Sequence, residues 1–259
     1  MLALVVSMGL SCLYVGIVNL WRRFPRDHAE TITKRAIGTL SFCCVSWIPT
    51  LFVSRYKGES CATLLGLKVH GIVKSTALPL GSVLIAYSGM LLFCLVEKHN
   101  PFSQAARWKR SVMLRNLVIA PITEEWVFRA SMVPLFLAEG WSPPAIVLLC
   151  PLLFGISHVH HISELIKVHR WSTIRAVKEI AFQIAYTTLF GAFATSLFLS
   201  TSNIAPCMVV HTVCNAIGIP IHQMMPHTHH PKLWISLSVL GVVIFFLLTK
   251  KLLDPMLYI

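Results

Sequence analysis

MLALVVSMGLSCLYVGIVNLW, residues 1–21, is the first of several stretches in this chain that contain no Asp, Glu, Lys or Arg. It ends directly before Arg22 and Arg23. A helix needs about 20 apolar residues to cross a bilayer, so this stretch predicts a membrane-spanning helix. Because it has no basic beginning and no small-residue cleavage site, we expect a retained anchor and not a signal peptide.

The same search for uncharged stretches predicts further spans along the chain. The longest gap, 180–231, is too long for one helix and is divided by the polar turn at 200–203, so it predicts two. The stretch 115–137 is apolar apart from a few polar and charged residues, and counting it gives eight spans in all. The remaining predicted spans are 36–54, 75–96, 140–163 and 233–249.

Composition supports this interpretation for the whole chain. Of 259 residues, 56% are hydrophobic and 12% are charged, whereas soluble domains average about 45–50% and 25%. The net charge of +12 is interpreted as basic cytoplasmic loops and not as nucleic-acid binding. We therefore predict an all-α, polytopic membrane helix bundle, a single domain over 1–259, with the lipid bilayer as its surroundings.

Lys and Arg are spread unevenly over the connections. Five of them lie between the first two predicted spans, and the positive-inside rule places that connection in the cytosol. They are Arg22, Arg23, Arg26, Lys34 and Arg35.

Three charged residues interrupt the apolar stretch 115–137 at a depth where charge is costly. Glu124 and Glu125 are neighbours, and Arg129 follows four residues after Glu125. On a helix, residues four apart share a face whereas adjacent residues point about 100° apart. We predict that Glu125 pairs with Arg129 and that Glu124 faces elsewhere. A neutralised structural cluster, or a helix near the membrane interface, is the alternative.

Two more polar groups occur in other apolar stretches. His158 stands near the end of one predicted span, and His211 and Asn215 are four apart in another. A lone membrane histidine is often only a hydrogen-bonded bundle residue, but Glu, His, His and Asn spread over three helices suit hydrolysis by activated water. Neighbouring Ser157 and Cys214 are interpreted as packing residues because no nucleophile motif surrounds them.

Two other functions use the same residue types. Two His and one Glu form a known catalytic zinc set, although the compact H-E-x-x-H spacing is absent. An ion or proton transporter would also place Glu, Arg and His inside the membrane, and internal repeats would support that function, but we find none.

Three motifs together resemble the type II CAAX prenyl endopeptidases. They are RNLVIAPITEEWVFRA at 115–130, FGISHVHH at 154–161 and HTVCN at 211–215, in the order and spacing of that family. Weaker similarity extends over nearly the whole chain. The resemblance implies an intramembrane protease of the endoplasmic reticulum, with an active site open to the cytosol. Its substrates would be farnesylated or geranylgeranylated CAAX proteins such as Ras-type small GTPases, which lose their last three residues.

The resemblance also implies roles for individual residues. Glu124 and His158 would activate the water, His211 and Asn215 would form the oxyanion site, and Glu125 and Arg129 would support them. No cofactor is expected, and a zinc-dependent protease acting on the same substrates is the lower-ranked alternative.

Overall fold

The computed structural model describes residues 1–21, 24–219 and 228–258. These residues are mostly helical, and no strand occurs among them. The α-helices in chain order are α1 (Leu2–Leu20), α2 (Ala29–Ser46), α3 (Ile48–Lys57), α4 (Cys61–Leu64), α5 (Ile72–Ala86), α6 (Ser88–Val96), α7 (Ser103–Ala106), α8 (Arg110–Leu114), α9 (Ala120–Glu125), α10 (Val133–Ala138), α11 (Pro143–Ile156), α12 (His161–Lys167), α13 (Thr173–Thr201), α14 (Ala205–Ile217) and α15 (Pro231–Leu252). Two π-helical segments, π1 (Arg115–Ile119) and π2 (Trp126–Ser131), and 3-10 turns at Ser157–His160 and Pro255–Tyr258 complete the set.

The polytopic all-α architecture is confirmed. Within the described residues, five helical stretches are long and apolar enough to cross a membrane, and the bent pair α5 and α6 makes a sixth. These stretches are Leu2–Leu20, Ala29–Lys57, Pro143–Lys167, Thr173–Thr201 and Pro231–Leu252.

The predicted count of eight is not confirmed. The gap 180–231 contains one long helix, α13, followed by α14, which has only 13 residues. A helix of that length rises about 20 Å, which is less than the hydrocarbon core. From Arg110 to Ser131 the α-helical and π-helical segments follow one another without a break, so part of the stretch 115–137 is one continuous helix. It is not among the apolar spans because it carries four charged residues, Arg115, Glu124, Glu125 and Arg129.

Two of the spanning stretches are interrupted where the sequence predicted straight helices. The second is broken at Trp47, between α2 and α3. The axes of α5 and α6 differ by 65° across Tyr87. Ser88 and Gly89 follow this bend, and a Gly/Ser pair is one of the recognised causes of a sharp helix kink.

The described chain separates into two compact units, each made of two chain segments. The first contains Met1–Lys68 and Ile122–Ile204, and the second contains Val69–Pro121 and the residues from Ala205 onward. The single domain over 1–259 stays a prediction.

In the first unit, α11 packs closely against α13. Gly155 of α11 lies against Thr188, where a Cβ atom would clash. Gly191 of α13 lies against Pro151, and a Cβ there would be 3.0 Å from the Pro151 Cβ. Small residues allow two membrane helices to approach this closely. The 3-10 turn after α11 carries His158, one of the predicted site residues.

In the second unit, α15 packs against α5 and α6 in the same way. Gly89 lies against Ser238, and Gly241 lies against Ser88. A buried apolar cluster continues from this contact to the end of α14. Its members are Met90, Phe93, Cys94, Ile217 and Trp234.

Candidate active site

The two adjacent glutamates lie at the end of α9, between the two π-helical segments. A π-turn interrupts the ordinary i→i−4 hydrogen-bond ladder and is frequent at functional sites. Glu125 is fully buried, whereas Glu124 is half-buried. The two neighbours therefore occupy different environments, as their spacing on a helix predicts.

The predicted pairing of Glu125 with Arg129 is present in the first unit. Arg129 Nη1 donates to Glu125 Oε1 at 3.2 Å, and both side chains have an exposed fraction of 0%. The guanidinium carbon also lies 4.7 Å from the centroid of the Phe154 ring, a cation–π distance. Arg129 thus connects the helix of the glutamates to the helix that leads to His158.

Gly191 provides the space for this arginine. A Cβ atom at position 191 would be 2.9 Å from Arg129 Nη2, which is shorter than real Cβ contacts allow. Even alanine there would require the guanidinium or α13 to move. The buried ion pair therefore depends on a glycine 62 positions away in sequence.

A side chain of α1 and a backbone oxygen of α2 hold the residues on either side of the glutamates. The Tyr14 hydroxyl and Thr123 Oγ1 are hydrogen-bonded at 2.9 Å, and both groups are buried. Trp126 Nε1 donates to the backbone oxygen of Cys43 at 3.0 Å. Thr123 precedes Glu124, and Trp126 follows Glu125, so these contacts fix the backbone that carries both carboxylates.

His158 lies in the 3-10 turn that follows α11. Its Nδ1 is 2.9 Å from the backbone oxygen of Phe154, which can only accept, so Nδ1 donates. The neutral ring then carries its lone pair on Nε2, the form that a general base requires. The imidazole also meets the Phe154 ring edge-on at 5.1 Å between centroids. Phe154 therefore contacts both Arg129 and His158.

Ser157, beside His158, donates its hydroxyl to the same Phe154 oxygen at 2.6 Å. This contact lies within the turn that carries His158. The interpretation of Ser157 as a packing residue stays a prediction.

In the second unit, α14 carries His211 and Asn215 one turn apart. His211 is buried and Asn215 is half-buried. Asn215 Nδ2 donates to the backbone oxygen of Asn116 at 2.9 Å, and Thr212 Oγ1 donates to that of Leu117, also at 2.9 Å. Both acceptors belong to π1, so this π-turn anchors α14.

Asn116 is held in turn by its neighbour. Arg115 Nε donates to Asn116 Oδ1 at 2.9 Å. Asn116 stood inside the quoted RNLVIAP motif but received no role from the sequence, as did Phe154 in FGISHVHH. Their motif membership was the available signal, and their partners lie too far away in sequence to be inferred.

The structure thus brings His158 and Arg129, which pairs with Glu125, to the same Phe154 ring in the first unit, which also contains Glu124. It places His211 and Asn215 on one helix of the second unit. In the part of the chain that the structure describes, no three His, Cys, Asp or Glu side chains are placed to hold a metal ion.

Comparison with known proteins finds one family. Residues 106–217 match the family model described as type II CAAX prenyl endopeptidase, Rce1-like. The chain is 33% identical to the human CAAX prenyl protease 2, covering 97% of this chain and 81% of the relative. It is 31% identical to the Arabidopsis thaliana CAAX prenyl protease 2, covering 95% and 86%. A probable CAAX prenyl protease 2 from Schizosaccharomyces pombe is 32% identical, covering 86% and 81%. No solved structure gives a significant match.

Proposed function

Because this chain belongs to the Rce1-like family of type II CAAX prenyl endopeptidases, we propose that it removes the a-a-X tripeptide from prenylated CAAX proteins by water that Glu124 and His158 activate. The chain is a peptide hydrolase, a CAAX prenyl protease, and its apolar helices make it a multi-pass membrane protein. The observation that supports this mechanism best is the Nδ1 contact of His158 with the Phe154 oxygen.

That contact determines which ring nitrogen of His158 carries the proton. With the proton held on Nδ1, Nε2 accepts a proton from water and later donates it. Glu124, half-buried beside the fully buried Glu125, supplies the carboxylate that orients the same water. In the proposed reaction the water oxygen bonds to the carbonyl carbon of the prenylcysteine. Its proton passes through the base to the amide nitrogen as the C–N bond breaks.

His211 and Asn215 are proposed to stabilise the negative charge that develops on the carbonyl oxygen. The Asn215 amide group has two N–H donors. Asn116 accepts one of them, which orients the amide and leaves the second for the oxyanion. A donor fixed in advance stabilises the transition state without reorganising during the reaction.

Glu125 and Arg129 are proposed to support the site without contacting the substrate. Their side chains are fully buried, so they are not available to a peptide. Arg129 and His158 contact the same Phe154 ring. The ion pair therefore holds the helix of Glu124 against the turn that carries His158.

The membrane bundle suits a prenylated substrate. A farnesyl or geranylgeranyl chain partitions into lipid and brings the scissile bond to the depth of the helices. We propose that prenylated small GTPases are substrates, that the enzyme acts in the endoplasmic reticulum membrane, and that water enters and the tripeptide leaves on the cytosolic side. The mechanism requires no metal ion.

The test is cleavage by purified protein. A prenylated and an unprenylated CAAX peptide are incubated with the enzyme, and tripeptide release is followed by mass spectrometry. We expect release from the prenylated peptide only, and none with Glu124→Gln. Glu59→Gln, at an exposed carboxylate, is the matched control and should cleave normally. A Glu124→Gln protein with wild-type turnover would refute the proposed role of Glu124 in activating the water.

A further inference from the structure

Ionisable side chains continue at regular intervals beyond His158. His161, Glu164 and Lys167 follow at steps of three residues, through the 3-10 turn into α12. Residues three or four apart on a helix share a face. The side chains of His161 and Glu164 are 15% and 17% exposed, whereas Lys167 is exposed. A row of polar groups thus leads from the proposed base to the exposed end of α12.

The groups in this row are close, but they do not all touch. The ring centroids of His158 and His161 are 6.0 Å apart, and His160 lies beside them with its centroid 4.0 Å from that of His161. His161 Nδ1 and Glu164 Oε2 are separated by 3.7 Å. This distance exceeds a direct hydrogen bond, and polar contacts of this length are commonly bridged by water.

Three buried polar atoms in the row have no hydrogen-bond partner among the described residues. They are His160 Nε2, His161 Nδ1 and Glu164 Oε1. More than 90% of buried polar groups are hydrogen-bonded to protein or to ordered water, so three exceptions in one place indicate a ligand. His160 Nδ1 is 2.6 Å from the Ser157 oxygen and donates to it, which makes Nε2 of the neutral ring an acceptor.

The chemistry of these atoms indicates which ligand they bind. His160 Nε2 and Glu164 Oε1 both need a donor, and one water molecule supplies two donors in a small volume. The geometry does not suit a metal, since no three His, Cys, Asp or Glu side chains of the described residues are placed to hold one. Arg26 and Arg35 interact electrostatically with this cluster.

We infer that His160, His161 and Glu164 form a water-binding site that supplies the hydrolytic water to His158. The inference rests on the proposed role of His158 as a base. Each turnover consumes one water molecule, which has to cross an otherwise apolar bundle. His160 and Lys167 also line a cavity of about 500 Å³ that is open at the surface of the same turn and helix, and the proposal brings water to His160 through it.

Hydroxyl-radical footprinting tests the site without any substrate. Radicals generated by X-rays in the purified protein modify side chains that lie beside bound water, even when these are buried, and mass spectrometry locates the modification. We expect His160 and His161 to be modified several-fold faster than Met132, which is fully buried in the same unit and is intrinsically more reactive. Labelling of both histidines at or below the rate of Met132 would overturn the inference. That result would leave the proposed protease activity untouched, because the labelling does not depend on cleavage.

Variants then connect the water to turnover. His161→Phe should slow His160 labelling and lower kcat by about tenfold, the effect of losing one ordered water, with little change in KM. His161→Gln keeps a polar group and should retain most of the His160 labelling and most of kcat. Leu165→Phe adds similar bulk on the same helix at a residue that does not line the cavity, and should behave as wild type. If His161→Phe fails to fold, Glu164→Leu replaces it. Unchanged His160 labelling and unchanged kcat in the folded variant would contradict the inference.

Discussion

Glu124 and Glu125 are neighbours that differ in burial, so replacing each of them with alanine gives a matched pair of variants. Glu125→Ala removes one partner of an ion pair in which both side chains are fully buried. Glu124→Ala removes a half-buried carboxylate one residue earlier on the same helix. The chemical change is identical, so a difference between the variants reports the environment alone. We expect Glu125→Ala to lose stability and Glu124→Ala to keep it.

The magnitude follows from the charge that is left behind. Breaking a buried ion pair by removing one partner costs about 3–5 kcal/mol, because the remaining charge has no compensation. At roughly 2–4 °C per kcal/mol for a chain of this size, the melting temperature should fall by about 6–20 °C. The Phe154 ring, 4.7 Å from the guanidinium carbon, compensates only part of the loss.

Thermal unfolding in detergent is the assay, with folded yield as a second readout. The double variant Glu125→Ala with Arg129→Met should recover part of the lost stability, because it removes the stranded charge. Glu125→Ala protein as stable as wild type would refute the reasoning. A double variant less stable than the single one would refute it as well.

Further predictions concern the reaction. Glu124→Gln should lower turnover by about 10²–10⁴, the range for general acid–base catalysis, because the water would no longer be held for His158, and the melting temperature should stay unchanged. Asn215→Ala should lower kcat by about 10²–10³ with little change in the dissociation constant of a prenylated peptide. The control for Asn215→Ala is Thr212→Ala, which loses the neighbouring hydrogen bond to π1. Equal losses of kcat in both variants would assign Asn215 a structural role. Prolonged chelation should leave activity intact, and elemental analysis should find well under one equivalent of zinc. Activity that is lost when zinc is removed and restored when zinc is returned would favour the metalloprotease. Gly191→Val should lower the melting temperature by crowding Arg129, and an unchanged value would contradict that packing.

Much of the fold could be predicted because a bilayer imposes a length on every spanning helix. The uncharged stretches beginning at residues 1, 75 and 233 correspond to α1, the pair α5 and α6, and α15. Breaks inside a stretch were not predictable in this way. No charged residue marks Trp47 or Tyr87, and the 65° bend depends on how the following Ser88 and Gly89 pack.

Part of the site could be predicted for a similar reason. The pairing of Glu125 with Arg129 and the shared face of His211 and Asn215 follow from the helical repeat, which is a local property. The contacts of Phe154 with Arg129, and of Asn116 with Asn215, join segments far apart in the chain. No periodicity in the sequence encodes them.

The π-turn at Arg115–Ile119 has a consequence for insertions and deletions. Such a turn holds one residue more than an α-turn, so deleting one residue there would let the helix close to the ordinary repeat. With Arg115 deleted, for example, the backbone oxygen of Asn116 would accept from the Ala120 N–H in the helix's own ladder, and Asn215 would lose its acceptor. The oxygen of Leu117 would face Pro121, which has no N–H, and could still accept from Thr212. Such a deletion would leave every proposed catalytic side chain in the protein and still disorient one of them. The number of residues in this helix is therefore under constraint, in addition to their identity.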